Sequence, residues 1–530
     1  NEEIDFSRII ADAISLLKGE ADTLGFESQS AWDTLVGKFS HILVDEYQDI
    51  DEEQYELVSL LAGKTMEESE QKLTILAVGD DDQNIYRFRG ANVSFIRRFH
   101  EDYKAEKHFL IENYRSTANI ISAANSLIQR NLDRMKTEHP IRVNEARRML
   151  PSGGNWQIND PIARGKVQVL QVATVEAQGY GILEEIMRLR SLEGDFDLNN
   201  CAVLSREWKD LDLLRSIFEA HDLPTNLHWG RSGGFPGLSK IRENAILLDY
   251  LKKHKMDSLT GSFLLDFLPS QTSKDNLWQA NLRALLNDWI EETHDAEQPV
   301  SLIEDYLYEA LSDQSRSRNL GNGIFLSTVH SVKGLEFDHV FILGENWQEK
   351  TGDEAEEERR LYYVAMSRAR ATLQLFSIND IPNPHVSLLS GEFQLQRELN
   401  PKIHNKQNRK HYALLGMKDL YLDFAGAKKE QHPSRLALEG LATGDTLSLD
   451  VRNDHLELVN DAGISVARLS KSAKQKWLKS METILEIRVI ALVKRNKDAI
   501  SDELFKEKCF GEMWEVPLVE MTISTYDNCK

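Results

Sequence analysis

Two acidic residues, Asp45 and Glu46, follow the apolar run HILV in the stretch HILVDEYQD. A carboxylate at the exposed end of a buried strand can hold Mg²⁺, directly or through water, because this ion favours oxygen ligands. A neighbouring carboxylate can orient or deprotonate a water molecule that attacks a phosphate. An acidic pair after a strand is also common in plain loop sequence, so these two residues alone leave both interpretations open.

The stretch GDDDQNIYRFRGA, from Gly79 to Ala91, places three acids, a glutamine, two aromatics and two arginines in one short run. Acids repel phosphates, whereas aromatic side chains beside arginines suit stacked bases and a phosphate backbone. We interpret the stretch as a segment that lies between a nucleotide and a nucleic-acid strand and couples the two. The alternative is that Tyr86 and Phe88 are core residues that follow a β-strand.

Short apolar runs that end in polar or glycine-containing segments alternate with helical patterns along the chain. This alternation predicts an α/β fold with parallel sheets covered on both faces, in which active loops lie at the carboxyl ends of the strands. The predicted strands are HILVDE, KLTILAVGD, HFLIEN, KVQVLQVATV, NNCAVLS, GIFLSTVH, DHVFILG and TLQLF.

Two segments break the alternation. Residues 230–320 carry helical patterns and no clear strand, which predicts a helical insertion. After about Pro401 the sequence turns basic and then alternates apolar and polar residues around turns, in GDTLSLDVRNDHLELVNDAGISVARLS. This second pattern predicts a small antiparallel β unit.

Four longer motifs appear in the order VGDDDQNIYRFRGA, LIENYRS, LSTVHSVKGLEFDHVFILG and EEERRLYYVAMSRAR. This set resembles the UvrD/Rep-type DNA helicases of superfamily one, from about Ile4 to about Phe376. The resemblance implies RecA-like parallel sheets of the P-loop NTPase type, with the first unit incomplete, and the residue patterns add the helical insertion and the small β-rich unit at the end. Together they predict the C-terminal part of a first RecA-like motor domain (1–106), the first part of a second RecA-like domain (107–229), the helical insertion (230–320), the second part of the second RecA-like domain (321–400) and a partly β accessory domain (401–530).

The resemblance also implies catalytic roles at an ATP molecule and its Mg²⁺ ion. Asp45 would bind the metal, and Glu46 beside it would act on the hydrolytic water. Gln83 would contact the γ-phosphate or that water. Arg115 and Arg368 would reach the phosphates, and an arginine in this role is worth roughly 10³ to 10⁵ in rate.

Further contacts are implied for the rest of the nucleotide and for DNA. Tyr114 would stack on the adenine, while Gly334 and Glu336 would approach the sugar and phosphates. The residues implied to contact single-stranded DNA are Tyr86, Phe88, Arg89, Thr328 and His330.

The 530 residues contain no GxxxxGK[ST] phosphate-binding loop. Gly63-Lys64-Thr65 has the right ending, but Val58 stands where the first glycine belongs, and the run ends a helical pattern. We therefore expect Gly63 to be a helix cap. Asp102-Tyr103-Lys104 resembles a nuclease fragment without its companion acidic motif and is expected to be a surface turn.

The simplest expectation is truncation, with the first half of the first motor unit on residues upstream of Asn1. The parent polypeptide would then hydrolyse ATP and this fragment alone would be inactive. One alternative is a catalytically silent helicase-like module that binds DNA or recruits partners. Another is a subunit whose phosphate loop comes from a partner chain, since an incomplete RecA-like unit exposes sheet edges.

Composition sets limits on these interpretations. The net charge of −22 disfavours general adhesion to nucleic acid or anionic membrane, so any DNA contact must be local. No apolar run approaches the roughly 20 residues of a membrane helix. The cysteines Cys201, Cys509 and Cys529 form no CxxC pair and indicate a reducing, cytoplasmic setting. We expect an ATP-dependent translocase or helicase of single-stranded or partly duplex DNA, 3′-to-5′ by resemblance, in repair or recombination.

Overall fold

The computed structural model describes residues 6–18, 38–64, 73–86, 93–226, 235–268, 276–317, 321–403, 410–500, 506–507 and 509–524. The chain forms two compact units. The first comprises Asn1–Gln171, Glu336–Ser377 and Ile381–Arg397, and the second comprises Val172–Leu335, Ile378–Asp380 and Glu398–Lys530. Within the described ranges no helix has the length and apolar character needed to cross a bilayer.

The first unit begins with a two-stranded parallel sheet and three helices. Strand β1 (His41–Val44) pairs with β2 (Thr74–Ala77), as predicted from their apolar runs. The helices are α1 (Phe6–Lys18), α2 (Glu52–Leu61) and α3 (Ser94–Tyr103). Helix α2 begins with a capping box, in which the Asp51 side chain accepts a 2.9 Å hydrogen bond from the Gln54 amide and the Asp51 amide donates a 3.3 Å bond to the Gln54 side-chain oxygen.

The two faces of this small sheet differ. On one face, Val44, Ile75 and Ala77 pack against an aromatic cluster. On the other face, Leu43 is 74% exposed and Leu76 is 55% exposed. Apolar strands of a parallel sheet are normally covered on both sides, so the described residues leave an apolar face open here.

The remainder of the first unit is a larger sheet with its own helices. Its strands are β5 (Val167–Val172), β10 (Phe337–Ile342), β11 (Ala369–Ile378) and β12 (Gln394–Glu398). They lie in the order β12-β5-β11-β10, and β10 and β11 are parallel. The helices are α4 (Ala118–Ile128), α5 (Trp156–Asn159), α12 (Gly352–Met366) and α13 (Pro384–Ser387).

One predicted strand of this unit is much shorter than expected. Of HFLIEN only β3 (Glu112–Asn113) is a strand, and it pairs in parallel with β4 (Arg142–Val143). Leu110 is largely exposed. The prediction of a buried strand over 108–113 was wrong in extent, because an apolar run indicates burial without supplying a pairing partner.

The second unit contains a further parallel strand pair, β6 (Cys201–Ser205) and β9 (Phe325–Thr328), both fully buried. Two helices, α6 (Val175–Leu192) and α7 (Leu211–Ala220), accompany them. Thr174 caps α6 by accepting a 3.1 Å hydrogen bond from the Ala177 amide.

The predicted helical insertion is mostly helical, as expected. Its helices are α8 (Arg242–Lys253), α9 (Gly261–Phe267), α10 (Leu277–Thr293) and α11 (Val300–Ser317). It also holds a short antiparallel pair, β7 (Ser258–Leu259) with β8 (Gln298–Pro299), where no clear strand was expected. Two-residue strands are too short for an alternating pattern to reveal.

The C-terminal segment forms a six-stranded sheet in the order β13-β18-β17-β14-β15-β16 with antiparallel pairs. The predicted antiparallel unit corresponds to β14 (Thr446–Arg452), β15 (His455–Val459) and β16 (Ser465–Arg468). The remaining elements are β13 (Lys410–Leu415), β17 (Ile484–Asn496), β18 (Met513–Ser524), α14 (Pro433–Glu439) and α15 (Lys471–Trp477).

The helices of 238–311 and this C-terminal sheet contribute to one continuous hydrophobic core. Trp278 of α10 is fully buried in it and donates a 2.7 Å hydrogen bond from Nε1 to the carbonyl oxygen of Ile490 in β17. The two segments therefore fold against each other within the second unit.

Candidate functional site

Asp45 and Glu46 lie directly after β1, at its carboxyl end, and both are exposed. The Glu46 backbone has φ 50° and ψ 38°, the left-handed region that residues other than glycine seldom adopt. Its amide donates a 2.8 Å hydrogen bond to the Asp45 carboxylate. Such a backbone costs of order 1–3 kcal/mol, and residues held this way concentrate at functional sites.

A cavity of about 560 Å³ lies beside the two carboxylates. The polar side chains along it include those of Asp45, Glu46, Gln48, Asp80, Gln83 and Lys136. Leu76 and Val78 line the same cavity, so it continues onto the open apolar face of the small sheet. Carboxylate oxygens at the edge of a cavity of this kind match the ligand preference of Mg²⁺.

A hydrogen-bond relay joins Glu46 to Gln83 through Gln48 and Asp80. The Gln48 amide nitrogen donates to the Glu46 carboxylate, and its oxygen accepts a 2.8 Å bond from the Asp80 amide. Asp80 in turn accepts a 2.8 Å bond from the Gln83 side-chain nitrogen. The Gln48 side chain can reach Asp80 because residue 79 is a glycine. A Cβ at position 79 would lie 2.7 Å from the Gln48 side-chain oxygen.

Gln83 and Arg368, 285 residues apart in sequence, meet in the first unit. The Arg368 guanidinium donates to the Gln83 side-chain oxygen at 3.3 Å and to the carbonyl oxygen of Val364 at 3.0 Å. Burial, followed by the repulsion of the Arg115 guanidinium, lowers the pKa of Arg368 to about 10, against the attraction of Glu46 and Asp80. Arg368 therefore keeps its charge at neutral pH and lies within electrostatic range of Arg115, Glu46 and Asp80.

Arg115 is half-buried and forms an ion pair with Glu336. Glu336 also accepts a 3.2 Å contact from Arg370, which pairs with Asp338 at 2.9 Å. Tyr114, next to Arg115, is 71% exposed. Five of the residues named for the nucleotide thus lie in one region: Glu46, Gln83, Arg115, Glu336 and Arg368.

Two cations missed by the sequence analysis complete the network. Arg134 donates to both carboxylate oxygens of Asp82, at 2.8 and 2.7 Å, and this pair is almost fully buried. Lys136 forms an ion pair with Asp80 and lies 3.5 Å from Asp82. The three carboxylates of GDDDQ are expected to pair with basic residues if they are buried. The sequence does not show which arginines or lysines pack against them.

The residues expected to contact DNA are placed in different parts of the chain. Tyr86 is half-buried in the first unit, while Phe88 and Arg89 lie outside the described residues. Thr328, buried at the end of β9, and His330, half-buried in the turn after it, belong to the second unit. Gly334, in that unit too, has φ 87°, so its backbone favours glycine. The DNA roles of these residues stay predictions.

The two segments set aside by the sequence analysis have structural roles. Gly63 follows α2 with φ 70°, its amide bonds to the Leu60 carbonyl and the Lys64 amide bonds to the Ser59 carbonyl. This is a Schellman cap, so the expected role of Gly63 is confirmed. Asp102 is in the last turn of α3, not in a turn between elements, and it contacts Tyr55 and Lys64.

Comparison with known families gives two matches that follow each other along the chain. A UvrD/REP helicase N-terminal domain matches residues 1–104. A UvrD-like helicase C-terminal domain matches residues 109–232 and 240–380, half of the chain.

Among curated proteins, the chain is 28% identical over 461 residues to an ATP-dependent DNA helicase PcrA of Staphylococcus epidermidis, with 71% of this chain and 59% of the relative covered. It is 27% identical over 446 residues to a probable DNA helicase II homolog of Mycoplasma genitalium, with 72% of this chain and 60% of the relative covered. The chain thus spans about three fifths of the length of these relatives. A solved C-terminal domain of a possible DNA helicase from Lactobacillus plantarum is 14% identical, with a TM-score of 0.24, and the match covers 54% of this chain and 98% of the solved chain.

The order of the two family matches agrees with the order of the four motifs, and both matches fall on the strands that hold the charged network. The chain belongs to the family of UvrD-like helicases.

Proposed function

We propose that this chain is part of an ATP-dependent enzyme that translocates along single-stranded DNA or unwinds partly duplex DNA. The observation that carries the proposal is the 3.3 Å contact between Gln83 and Arg368, within electrostatic range of Arg115 and Glu46. The 3′-to-5′ direction and a role in repair or recombination are taken from the family resemblance. Because the chain spans about three fifths of its relatives, the activity is proposed for the full-length protein, acting in the cytoplasm.

The carboxylates after β1 are proposed to serve the metal and the water. Asp45 would hold Mg²⁺, which when bound neutralises charge on the triphosphate. Glu46 would orient the attacking water and accept its proton, and the relay through Gln48 would keep its carboxylate in place. The left-handed backbone at Glu46 supports this role, because it directs the side chain at an energetic cost.

Gln83, Arg115 and Arg368 are proposed to surround the terminal phosphate. Two guanidiniums close together repel each other, and an anion between them would relieve that repulsion. Phosphoryl transfer gains mainly from positioning and charge neutralisation, which this arrangement supplies. Tyr114 would stack on the adenine, and Gly334 and Glu336 would approach the sugar and phosphates.

Gln83 is also proposed to transmit the presence of the γ-phosphate to DNA. Tyr86 follows it by three residues, and Phe88 and Arg89 come next in the sequence. A base stacked on an aromatic ring gains roughly 1–3 kcal/mol whatever its identity. A shift of Gln83 toward a phosphate would therefore move the residues that stack on bases, while Thr328 and His330 would hold the DNA backbone.

Turnover is proposed to need a phosphate loop from polypeptide beyond these 530 residues, either upstream in the same protein or on a partner chain. Two features support this proposal: the apolar face of Leu43 and Leu76, which the described part of the chain leaves open, and the cavity beside it. Further strands would cover this face and extend the wall of the cavity.

A second candidate function is a silent module that binds DNA or recruits partners without hydrolysing ATP. The absence of a GxxxxGK[ST] motif from the 530 residues favours it. The two functions differ in one measurable respect, which is ATP turnover by the full-length protein.

The test compares the full-length protein, the 530-residue chain and the variant Gln83→Ala. We expect DNA-stimulated ATP turnover from the full-length protein and none from the chain alone. Gln83→Ala should bind single-stranded DNA normally and lose roughly 10²-fold in DNA-stimulated turnover, the size of effect typical of a positioned catalytic group.

Each outcome selects between the candidates. Full-length protein that binds DNA without hydrolysing ATP establishes the silent module. Robust turnover by the 530-residue chain contradicts the need for a further phosphate loop. Unchanged DNA stimulation in Gln83→Ala contradicts the coupling role of that residue.

A further inference from the structure

The loop 131–137 lies between two elements that carry nucleotide-facing residues. On one side is the turn Asp80–Gln83, and on the other is α12, which ends two residues before Arg368. We propose that Lys136 and Arg134 in this loop are positioning residues that fix Gln83 against Arg368. The inference deepens the proposed function and rests on it.

Lys136 acts through Asp80. Its ammonium pairs with one oxygen of Asp80, whose other oxygen accepts the 2.8 Å bond from the Gln83 side-chain nitrogen. An ionised carboxylate can only accept hydrogen bonds, so it takes the NH₂ end of the Gln83 amide. The oxygen end is then left to face the Arg368 guanidinium. If Asp80 were protonated or displaced, it would no longer fix which end of the Gln83 amide faces Arg368.

The charge state of Asp80 agrees with this arrangement. Burial acts to raise the pKa of Asp80, but the Lys136 ammonium and the hydrogen bonds from Lys136 and Gln83 hold it below its usual value. Asp80 is thus ionised at neutral pH, and Lys136 is the first of the groups that favour its charged form.

Arg134 fixes the same turn from its other end. Its two hydrogen bonds to Asp82 are 2.8 and 2.7 Å long, with the side chains 6% and 1% exposed. Such a buried pair contributes little net stability, since the cost of desolvating both charges offsets their attraction. Its two parallel hydrogen bonds, however, hold the two side chains in a single relative orientation. The Met135 amide, between the two cations, donates a 2.6 Å bond to Asp81.

The other side of the loop is bound to α12. Glu356 accepts hydrogen bonds from the amides of Leu132, at 2.7 Å, and Asp133, at 3.3 Å. Arg360 donates to the Asp133 carbonyl at 2.7 Å. One short loop therefore holds both the turn that carries Gln83 and the helix that leads to Arg368.

The variants are Lys136→Met, which removes the charge, and Lys136→Arg, which restores it. Asp80→Asn removes the negative charge and replaces one acceptor oxygen with an NH₂ donor, with less change in volume, in case Lys136→Met folds poorly. Lys38→Met is the matched control, because Lys38 is an exposed lysine of the same unit outside the network.

The first readout needs no nucleotide and uses the 530-residue chain. Amide hydrogen exchange should speed up about tenfold in residues 79–86 of Lys136→Met, while β1 and β5 exchange as in the wild type. Lys136→Arg should restore protection, and Lys38→Met should not change it. Unchanged exchange in 79–86 in both Lys136→Met and Asp80→Asn overturns the inference.

The second readout uses the full-length protein and the ratio of its affinities for ATPγS and ADP. A hydrogen bond to a charged group is worth about tenfold in an equilibrium constant, so Lys136→Met and Asp80→Asn should lower this ratio about tenfold. Affinity for ADP should stay within about twofold, since the γ-phosphate contacts are absent there. In a Gln83→Ala background, Lys136→Met should lower kcat no further, because its effect passes through Gln83.

These outcomes separate the inference from the proposed function. Wild-type protein that binds neither nucleotide overturns both. Wild-type protein that prefers ATPγS, with the same preference in Lys136→Met and Asp80→Asn, overturns the inference alone. An effect of Lys136→Met that adds in full to that of Gln83→Ala indicates a purely structural lysine and also overturns it.

Discussion

The charged network of the first unit and the apolar core of the second unit hold their parts together in different ways. In the network, short turns and a loop from distant parts of the sequence meet through paired charges such as Arg134 and Asp82. In the core, long strands and helices meet through buried apolar side chains such as Trp278. Apolar burial is non-directional and provides stability, whereas paired charges provide orientation at little net gain. Function and stability should therefore respond to mutation in different regions.

The largest expected effect is on turnover when the network loses Arg368. Arg368→Met should lower kcat of the full-length protein by roughly 10³-fold, the lower end for a catalytic arginine. The free energy of unfolding should stay the same or rise, because the folded protein lowers the pKa of this guanidinium and thus disfavours its charge. Steady-state ATP hydrolysis and urea denaturation measure the two quantities. A parallel loss of stability and turnover would remove the contrast between the regions.

The reverse pattern is expected from the apolar core. Trp278→Ala should lower the free energy of unfolding by about 3–5 kcal/mol, because it removes a fully buried indole and leaves the Ile490 carbonyl without its donor. Nucleotide turnover per folded molecule should be unchanged. Leu302→Ala is the control, since Leu302 is half exposed on α11 and its loss should cost less than 1 kcal/mol.

A smaller effect concerns pH. Burial, followed by the charge of Asp82, raises the pKa of Asp81 to about 6. Ionising Asp81 therefore destabilises the folded state. The protonated carboxyl of Asp81 stabilises the fold at acid pH, and this stabilisation is lost as the pH rises through 6. Asp81→Asn should gain stability relative to the wild type by roughly 1–2 kcal/mol between pH 5 and pH 7.5, measured by urea denaturation.

Asn at position 81 can still accept the bond from the Met135 amide, so the comparison isolates the charge. Asp12→Asn, at an exposed acid on α1, should shift stability by less than about 0.5 kcal/mol at either pH. A stability difference for Asp81→Asn that shrinks with rising pH would reverse the inferred sign.

The smallest effect depends on backbone conformation alone. Gly63→Ala should cost about 1 kcal/mol, because alanine is strained at φ 70° in the Schellman cap. Nucleotide affinity of the full-length protein should not change, since Gly63 caps a helix. Gly237→Ala is the matched control, because its φ is −56° and the atom nearest the added methyl group, Ser239 Oγ, lies 3.9 Å away. This substitution should be neutral or slightly stabilising. Thermal unfolding distinguishes the two.

The sequence predicted elements well where one local pattern decides them. The runs around β1, β2, β5, β6, β9, β10 and β11 are confirmed as strands, because continuous apolar stretches between turns are typical of the strands of parallel sheets. The capping role of Gly63 is a local property too. The long strands β17 and β18 were not predicted, although ILEIRVIALVKRN and MWEVPLVEMTIS are rich in β-branched residues.

Contacts between distant segments could not be predicted in the same way. Gln48, Arg134 and Lys136 are ordinary polar residues until folding brings them to Asp80 and Asp82. Likewise, the apolar faces of α10 and β17 indicate that both are buried but not that each covers the other. Motif resemblance named Gln83 and Arg368 separately, whereas their contact is a property of the fold.

The left-handed backbone at Glu46 has a consequence for engineering. Glycine or asparagine would occupy this conformation with less strain, so a library selected only for thermal resistance should drift toward them at position 46. The selected variants would be more thermostable and would lack the Glu46 carboxylate. A selection scheme for hardier versions of this protein should therefore hold that codon constant.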